Sequence, residues 1–249
     1  MTKTNQPTIV VATDKDHAAH CTADLIHETI RGNPSAVLGL ATGGTPVGVY
    51  RLMVERFQAG EMNFSKVTTF NLDEYVGLGP EHDQSYRYFM QQQLFDHVNV
   101  VQEQTHVPDG IAANIESHVA DYEEQVLNAG GIDLQLLGIG NNGHIAFNEP
   151  GSPIDSRTRL VDLTENTIEA NSRFFQSAAE VPRHAITMGI GTILEARQIV
   201  LMATGKSKAK VIQSAIEGPA DSANPASLLQ GHARLTFVLD PESASELSL

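Results

Sequence analysis

The fold is decided by the stretch from Ala36 to Gln58, which has the sequence AVLGLATGGTPVGVYRLMVERFQ. Its first part, Ala36 to Ala41, is a short apolar run of the kind that forms a buried β-strand. A turn of small residues follows from Thr42 to Pro46, and the remainder, Val47 to Gln58, has apolar residues at helical spacing. A buried strand that passes through a glycine turn into a helix is typical of proteins in which strands and helices alternate.

The same alternation continues along the chain. Apolar, β-rich runs occur at Thr8 to Ala12, Ala36 to Ala41, Val67 to Leu72, Leu134 to Ile139, Ala185 to Met188, Ile199 to Ala203 and Leu235 to Leu239. Segments with helical spacing occur at His17 to Ile30, Val47 to Gln58, Ile115 to Leu127 and Lys208 to Ile216. The pattern predicts an α/β, Rossmann-like fold with a doubly wound, mostly parallel sheet and helices on both faces. The length fits a single domain over residues 1–249.

The overall charge limits the kinds of partner. The chain has 16 Lys and Arg residues against 30 Asp and Glu residues, which gives a formal net charge of -14. This charge repels polyanions, and the densest basic cluster contains only Lys206, Lys208 and Lys210, so we expect no binding to nucleic acid or to a membrane surface. The single cysteine, Cys21, excludes an intrachain disulfide. The N-terminal residues have no apolar signal-peptide core, so the cytoplasm is the expected location.

Two loops that follow predicted strands suit a phosphate group. Thr42 to Pro46 combines glycines, which let backbone N–H groups approach a ligand, with a proline that fits a first helical turn. An ordinary glycine turn explains this pattern equally well. Thr204 to Lys208 also follows a strand and opens a helix, which predicts a second anion contact through free N–H groups and lysines. This loop is not a P-loop, because Val200 stands where that motif has a glycine. Lys206 and Lys210 are better interpreted as part of a solvated helical face.

Two adjacent carboxylates, Asp73 and Glu74, follow the predicted strand that ends at Leu72. Ligands bind beyond the carboxyl ends of strands in such sheets, so one of these acids can face a pocket and act as a general base. We assign this role to Asp73. The alternative is that either acid caps the next turn.

The run from Gly138 to Gly151, GIGNNGHIAFNEPG, places His144 and Glu149 in one polar loop. It matches the G-x-G-x-x-G pattern of dinucleotide-binding folds, and Asp162 lies near the expected acidic position. Pro150 interrupts the helix that this motif requires, so nicotinamide binding is weakened but not eliminated. A lone histidine after a strand is usually structural, yet Glu149 can orient and tune the His144 imidazole. Metal binding is less favoured, because the chain lacks H-E-x-x-H and a cysteine ligand set.

Three blocks of sequence make the chain similar to glucosamine-6-phosphate deaminases. They are LGLATGGTP from Leu38 to Pro46, TFNLDEYVG from Thr69 to Gly77, and GHIAFNEP from Gly143 to Pro150. A fourth match, NSRFF, runs from Asn171 to Phe175. The blocks occur in the family's order, and the resemblance extends from about Ala36 to about Asp240, so chance agreement is improbable.

The resemblance implies that glucosamine 6-phosphate is isomerised and deaminated to fructose 6-phosphate and ammonia, in amino-sugar catabolism and N-acetylglucosamine use. It implies that Asp73 moves a proton from C2 to C1 of the opened sugar, that His144 assists ring opening, and that Glu149 holds His144 in orientation. An enolamine and then an iminium follow, and water hydrolyses the iminium without a metal or organic cofactor. The implied phosphate ligands are Thr42, Gly43, Gly44, Thr45, Arg173 and Lys208.

The sequence departs from the family pattern in two places. Asn142 stands where many members have an aspartate in the relay with His144 and Glu149. An amide can orient His144 but carries no charge, so we expect a lower His144 pKa than with aspartate and a shifted pH profile. Hexameric members are activated by N-acetylglucosamine 6-phosphate, so a homo-oligomer is compatible with the resemblance. Val161 replaces a lysine of the activator site, although Ser152 and Arg159 match it. Because the chain also stops at Leu249, we expect weak or absent activation.

Related folds leave other functions open. The fold resembles that of 6-phosphogluconolactonases, ribose-5-phosphate isomerases and the effector domains of sugar-responsive repressors, and fold alone does not choose between them. A non-catalytic sugar-phosphate sensor of the repressor type should carry a helix-turn-helix segment, yet only about seven residues precede the first predicted strand. A lactonase needs no proton abstraction at C2. The polar segment after Pro150 predicts a long loop, and a mobile lid within residues 151–181.

Overall fold

In the computed structural model, which describes residues 6–172, 175, 177 and 180–248, strands and helices alternate along most of the chain. The strands are β1 (Thr8–Val11), β2 (Val37–Leu40), β3 (Thr68–Asn71), β4 (Asp73–Tyr75), β5 (Thr105–His106), β6 (Leu134–Leu137), β7 (Arg159–Asp162), β8 (His184–Thr187), β9 (Ile199–Ala203) and β10 (Leu235–Leu239). The helices are α1 (Lys15–Gly32), α2 (Val47–Gln58), α3 (Tyr86–Gln93), α4 (Ile115–Asn128), α5 (Glu165–Ser172), α6 (Ile190–Leu194) and α7 (Ala209–Glu217).

The main sheet has seven strands in the order β1-β10-β9-β6-β2-β3-β5, and every neighbouring pair is parallel. Each residue of β2, β6 and β9 is buried, as expected for central strands of a parallel sheet that is covered on both faces. The fold class predicted from the alternating pattern is confirmed. The largest fully buried side chains of the described core are Tyr50, Phe64, Phe70, Phe95, Tyr122 and Phe237.

A second, smaller sheet contains three antiparallel strands in the order β4-β8-β7. The apolar run from Ala185 to Met188, which predicts a buried strand, forms β8. In the described part of the chain this strand pairs with β4 and β7 and not with the main parallel sheet. An apolar run shows that a strand is buried but does not identify its partners. No apolar run predicts β4 or β7, since β4 begins with two acids and β7 alternates between half-buried and exposed residues.

Side-chain caps begin four of the described helices, α1, α3, α4 and α5. Asp14 accepts from the His17 N–H at 2.8 Å before α1, and Ser85 accepts from the Tyr88 N–H at 3.0 Å before α3. Asn114 does the same for α4. Such caps satisfy N–H groups that have no partner inside the helix. Among the described residues, no helix is long and apolar enough to cross a membrane.

The segment 151–181, in which the sequence predicts a lid, contains β7 and α5. Its first part is fixed to the main body by Arg157, which pairs with Glu123 at 2.5 Å and with Glu195 at 2.6 Å. Ser156 lies against the start of α6, where its carbonyl oxygen accepts from the Gly191 N–H at 2.9 Å. Residues 151–158 are therefore anchored, and a moving lid would have to lie after them. Its motion stays a prediction.

Gly189→Ala tests this anchoring. A methyl group at position 189 would collide with the backbone carbonyl oxygen of Ser156, which cannot turn away as a flexible side chain can. We expect a loss of about 1–3 kcal/mol in the free energy of unfolding, measured by urea denaturation. Gly32→Ala is the matched control, because a methyl group there meets no atom within 4 Å. Equal unfolding midpoints for the two variants would contradict the close approach.

Candidate active site

The direction in which strands are added to the sheet reverses between β2 and β6. From β2 the chain moves outward to β3 and β5, whereas from β6 it moves the other way to β9 and β10. The loops on the two sides therefore diverge and leave a crevice beyond the carboxyl ends of the strands, where doubly wound proteins bind ligands. A cavity of ≈ 680 Å³ lies at this place, and its volume is within the range of small-molecule sites.

Most of the predicted site residues line this cavity. They are Thr42, Gly43, Gly44, Thr45, Asp73, Asn142, His144 and Lys208. Glu149 is connected to the cavity through its contacts with Asn142 and His144. Arg173, the remaining predicted phosphate ligand, lies outside the described residues.

The loop from Thr42 to Thr45 joins β2 to α2. Gly43 has a φ of 89°, in the left-handed region that glycine adopts without strain. Helix α2 begins after Pro46, and no side chain in the described part of the chain caps its first turn. Its first N–H groups and the positive end of its dipole are therefore available to an anion.

The turn after β9 differs from the prediction. The Gly205 N–H donates to both carboxylate oxygens of Asp240, each at 3.0 Å, and the Lys206 N–H donates to Glu242 at 3.2 Å. Because two acids occupy these amides, the prediction of free N–H groups in this loop is wrong at these positions. The Lys206 ammonium group pairs with Glu246 at 3.3 Å, in agreement with its predicted place on a solvated face.

Lys208 is the lysine of the predicted basic cluster that lines the cavity. Its Nζ donates to Oδ1 of Asn141 at 2.7 Å, so an amide from the loop after β6 holds the ammonium group in place. Burial lowers the pKa of Lys208 from its usual value. A held, partly desolvated ammonium group binds an anion more strongly than an exposed one.

Asp73 and Glu74 have different environments. Oε1 of Glu74 accepts from the N–H groups of Tyr75 at 2.8 Å and Tyr86 at 2.9 Å, and Oε2 accepts from the Arg87 N–H at 2.9 Å. Glu74 therefore caps α3, which was the alternative considered for both acids. Successive strand residues point to opposite faces, and Asp73 lines the cavity.

Burial changes the acidity of both groups. It raises the pKa of Asp73 to about 8, and the charge of Glu74 adds to this effect. It also raises the pKa of Glu74 to about 7, although three backbone N–H donors oppose the change. A carboxyl group with a strongly raised pKa at the wall of a cavity is a candidate for proton transfer.

His144 lies beside Glu149, with 3.7 Å between Nδ1 and Oε2. Asn142 donates from Nδ2 to the same Oε2 at 2.7 Å, and its Oδ1 accepts from the His144 backbone N–H at 3.2 Å. Asn142 therefore orients Glu149 and the loop backbone and not the imidazole ring, which rests against Gly140. Burial lowers the pKa of His144; the charge of Glu149 opposes this and that of Lys208 adds to it.

Several side chains at the site were not identified from the sequence. Thr167 lines the cavity and donates from Oγ1 to Oε1 of Glu149 at 2.5 Å. Tyr86 and Phe147 form part of the wall and stack with a centroid distance of 6.1 Å. Ala146, also in the wall, has a φ of 51°, which is strained for a residue with a β-carbon. No motif marked Tyr86 or Thr167, because they reach the site through the folding of α3 and α5. Phe147 and Ala146 lie within the GHIAFNEP block, but the sequence assigned them no role.

The residues compared with the activator site lie together near the start of β7. Arg159 donates to Oδ1 of Asn148 at 2.9 Å and to Oγ of Ser152 at 3.4 Å. Val161 is half-buried and packs against the small apolar cluster that contains Tyr75 and Phe147. The side chain at position 161 is therefore committed to packing.

Asp73→Asn should stabilise the empty protein at neutral pH. The folded-state pKa of Asp73 lies above its unfolded value, so ionisation of this buried group destabilises the fold increasingly as pH rises from about 4 to about 8. The variant's gain in unfolding free energy should grow over that window and be absent near pH 4, as measured by denaturant titrations at several pH values. Asp83→Asn, at an exposed position, is the control. A gain that is independent of pH would contradict the raised pKa.

Comparison with known proteins agrees with this geometry. The family model for glucosamine-6-phosphate isomerases and 6-phosphogluconolactonases matches residues 13–237. A glucosamine-6-phosphate deaminase of Rhodopirellula baltica is 55% identical over 239 residues, which cover 96% of this chain and 95% of that protein. One of Thermoanaerobacter pseudethanolicus is 49% identical over 95% of this chain and 94% of its own.

Solved structures give the same result. A monomeric glucosamine-6-phosphate deaminase superposes with a TM-score of 0.94 at 41% identity and covers 96% of this chain and 100% of its own. A 6-phosphogluconolactonase of Trypanosoma brucei superposes with a TM-score of 0.79 at 20% identity and shares the fold. The resemblance inferred from the sequence blocks is confirmed: the chain belongs to the family of glucosamine-6-phosphate isomerases and 6-phosphogluconolactonases.

Proposed function

We propose that this protein converts glucosamine 6-phosphate to fructose 6-phosphate and ammonia by a ketol isomerisation followed by deamination. The observation that carries the proposal is the position of Asp73, a buried carboxyl group at the wall of a cavity that also contains the loop leading into α2 and the His144 loop. Relatives at about half identity over nearly their full length are glucosamine-6-phosphate deaminases. A lactonase would have no use for a base that acts on a carbon-bound proton.

Asp73 would carry the proton from C2 to C1 of the opened sugar. In the empty site burial keeps this carboxyl group mostly protonated at pH 7, since its pKa is raised to about 8. The amino group at C2 of the substrate is a cation next to the proton to be removed, and an adjacent cation favours the ionised carboxylate. The substrate would thus convert Asp73 into the base that its own C2 proton requires.

His144 would open the sugar ring. A neutral imidazole can accept the proton of the anomeric hydroxyl group and return it to the ring oxygen, and burial favours the neutral form by lowering the pKa of His144. The Glu149 carboxylate, held by Asn142 at 2.7 Å, would stabilise the imidazolium formed in between. The phosphate would bind the loop from Thr42 to Thr45, Lys208 and Arg173, and no metal or organic cofactor enters this scheme.

The proposed substrate also bears on the partners and the cellular location of the protein. We propose a small sugar phosphate as the partner, with no nucleic acid and no membrane surface, because the net charge of -14 repels both. A doubly charged phosphate ester does not cross a bilayer unaided, so the cytoplasm is the proposed location. A homo-oligomer stays a prediction, as one solved relative is described as monomeric. Weak or absent activation by N-acetylglucosamine 6-phosphate also stays a prediction.

The first test measures ammonia and fructose 6-phosphate formed from glucosamine 6-phosphate by the wild type and by Asp73→Asn. We expect equal amounts of the two products from the wild type and a loss of kcat of about 100-fold to 10,000-fold in the variant, because general-base catalysis contributes on this scale. Asp83→Asn serves as the control at an exposed acid. A folded wild type that releases no ammonia would overturn the deaminase assignment, and 6-phosphogluconolactone hydrolysis in its place would assign the sister activity.

Asn142→Asp tests the relay. An aspartate at this position puts a second carboxylate against Oε2 of Glu149, where the amide now donates at 2.7 Å. The added negative charge should raise the pKa of His144, so the acid limb of the kcat/KM profile should move upward by about one pH unit. The profile between pH 5 and 9 is compared with that of Asn141→Asp, whose amide contacts Lys208. An unchanged acid limb in Asn142→Asp would refute this account.

A further inference from the structure

The second carboxylate oxygen of Glu149 is bound by α5. Oε2 faces Asn142 and His144, whereas Oε1 accepts from Oγ1 of Thr167 at 2.5 Å and from Oγ1 of Thr164 at 3.3 Å. Glu149 is thereby gripped at both oxygens by different parts of the chain. Asn142 belongs to the loop after β6, and the threonines belong to the segment 151–181.

The two threonines make different hydrogen bonds: Thr164 caps α5, and Thr167 donates to Glu149. Oγ1 of Thr164 accepts from the Thr167 N–H at 3.2 Å, so Thr164 caps the first turn of α5. A hydroxyl group has one proton to donate. Oγ1 of Thr164 lies 3.1 Å from Oγ1 of Thr167 and is placed to donate to it. The shorter contacts order the chain as Thr164 to Thr167 to Glu149. In this order Thr167 is the principal donor to the carboxylate, and the hydroxyl that precedes it strengthens its bond.

We propose that Thr167 is a positioning residue that couples α5 to the catalytic relay: its hydroxyl group fixes the Glu149 carboxylate, and Glu149 in turn fixes the charge balance of His144. The role in turnover rests on the proposed function, whereas the effect on His144 exists in the empty protein. The position of α5 and the protonation of the His144 imidazole are then coupled, because the Thr167 hydroxyl group belongs to α5 and also binds the carboxylate beside the imidazole.

The physical basis is the stabilisation of a partly buried carboxylate by a donor. Glu149 is 14% exposed at its side chain, so hydrogen-bond donors are needed to satisfy its carboxylate oxygens and to hold it in one rotamer. The charged groups that face His144 within the described residues are Glu149, which favours the imidazolium, and Lys208, which disfavours it. Without the Thr167 donor the Glu149 carboxylate is no longer held in one rotamer beside the ring, so it stabilises the imidazolium less well. The opposing charge of Lys208 is unchanged, so the pKa of His144 should fall.

Thr167→Val removes the hydroxyl group at nearly constant volume. The ring titration of His144 is followed by NMR in the empty protein, with the resonance assigned by its absence in His144→Gln. We expect the pKa of His144 to fall by about half a unit or more, and kcat for glucosamine 6-phosphate to fall about tenfold with KM changed less than about twofold. Thr167→Ser keeps the donor and should restore both values.

Thr164→Val is the matched control. It removes the cap of α5 and only the longer contact with Glu149. We therefore expect a lower melting temperature than in the wild type, and a smaller shift of the His144 pKa than in Thr167→Val. An unchanged His144 pKa in a folded Thr167→Val protein would overturn the inference, and a raised KM with an unchanged titration would assign Thr167 to substrate contact instead. Because the titration needs no substrate, it decides this inference even where the wild type releases no ammonia.

Discussion

The parallel pairing of β2 with β6 is the constraint on which the rest of the site depends. Leu38 pairs with Leu134 and Gly39 with Gln135, and this contact joins two halves of the sheet that grow in opposite directions. The loops that leave these strands lead to opposite halves of the sheet, so they open a crevice between them. One loop brings the glycine turn and the start of α2, and the other brings the His144 loop. Every other site residue is placed relative to these two.

The small antiparallel sheet connects the general base to the segment in which a lid is predicted. Asp73 lies opposite Thr187 in β8, and Thr187 lies opposite Arg159 in β7 on the other side. Oγ1 of Thr187 also accepts from the Phe147 N–H at 3.2 Å, which fixes a wall residue of the cavity. Three paired strands therefore connect the base, the cavity wall and the residues compared with the activator site.

Electrostatics at the site are local and do not follow the net charge. A chain with 30 acids and 16 bases offers an anion only a helix end and Lys208 among the described residues of the cavity, since Asp240 and Glu242 occupy the neighbouring amides. The same dry environment raises the pKa of Asp73 and lowers those of His144 and Lys208. Desolvation thus favours the uncharged form of each group, and it leaves Asp73 and the neutral His144 imidazole as the groups suited to proton transfer.

The sequence by itself determined the alternation of strands and helices, because hydrophobic periodicity is local. It also determined which loops carry chemistry, since glycine, proline and adjacent acids limit what a turn can do. Which of Asp73 and Glu74 faces the cavity was decided by tertiary structure, because only the packing of α3 shows that the Glu74 carboxylate caps that helix. The placement of β8, the loss of the Gly205 and Lys206 amides to two C-terminal acids, and the contact of Thr167 with Glu149 were likewise decided by tertiary structure. Each joins residues far apart in the chain, and no local pattern records which distant group will satisfy a buried donor or acceptor.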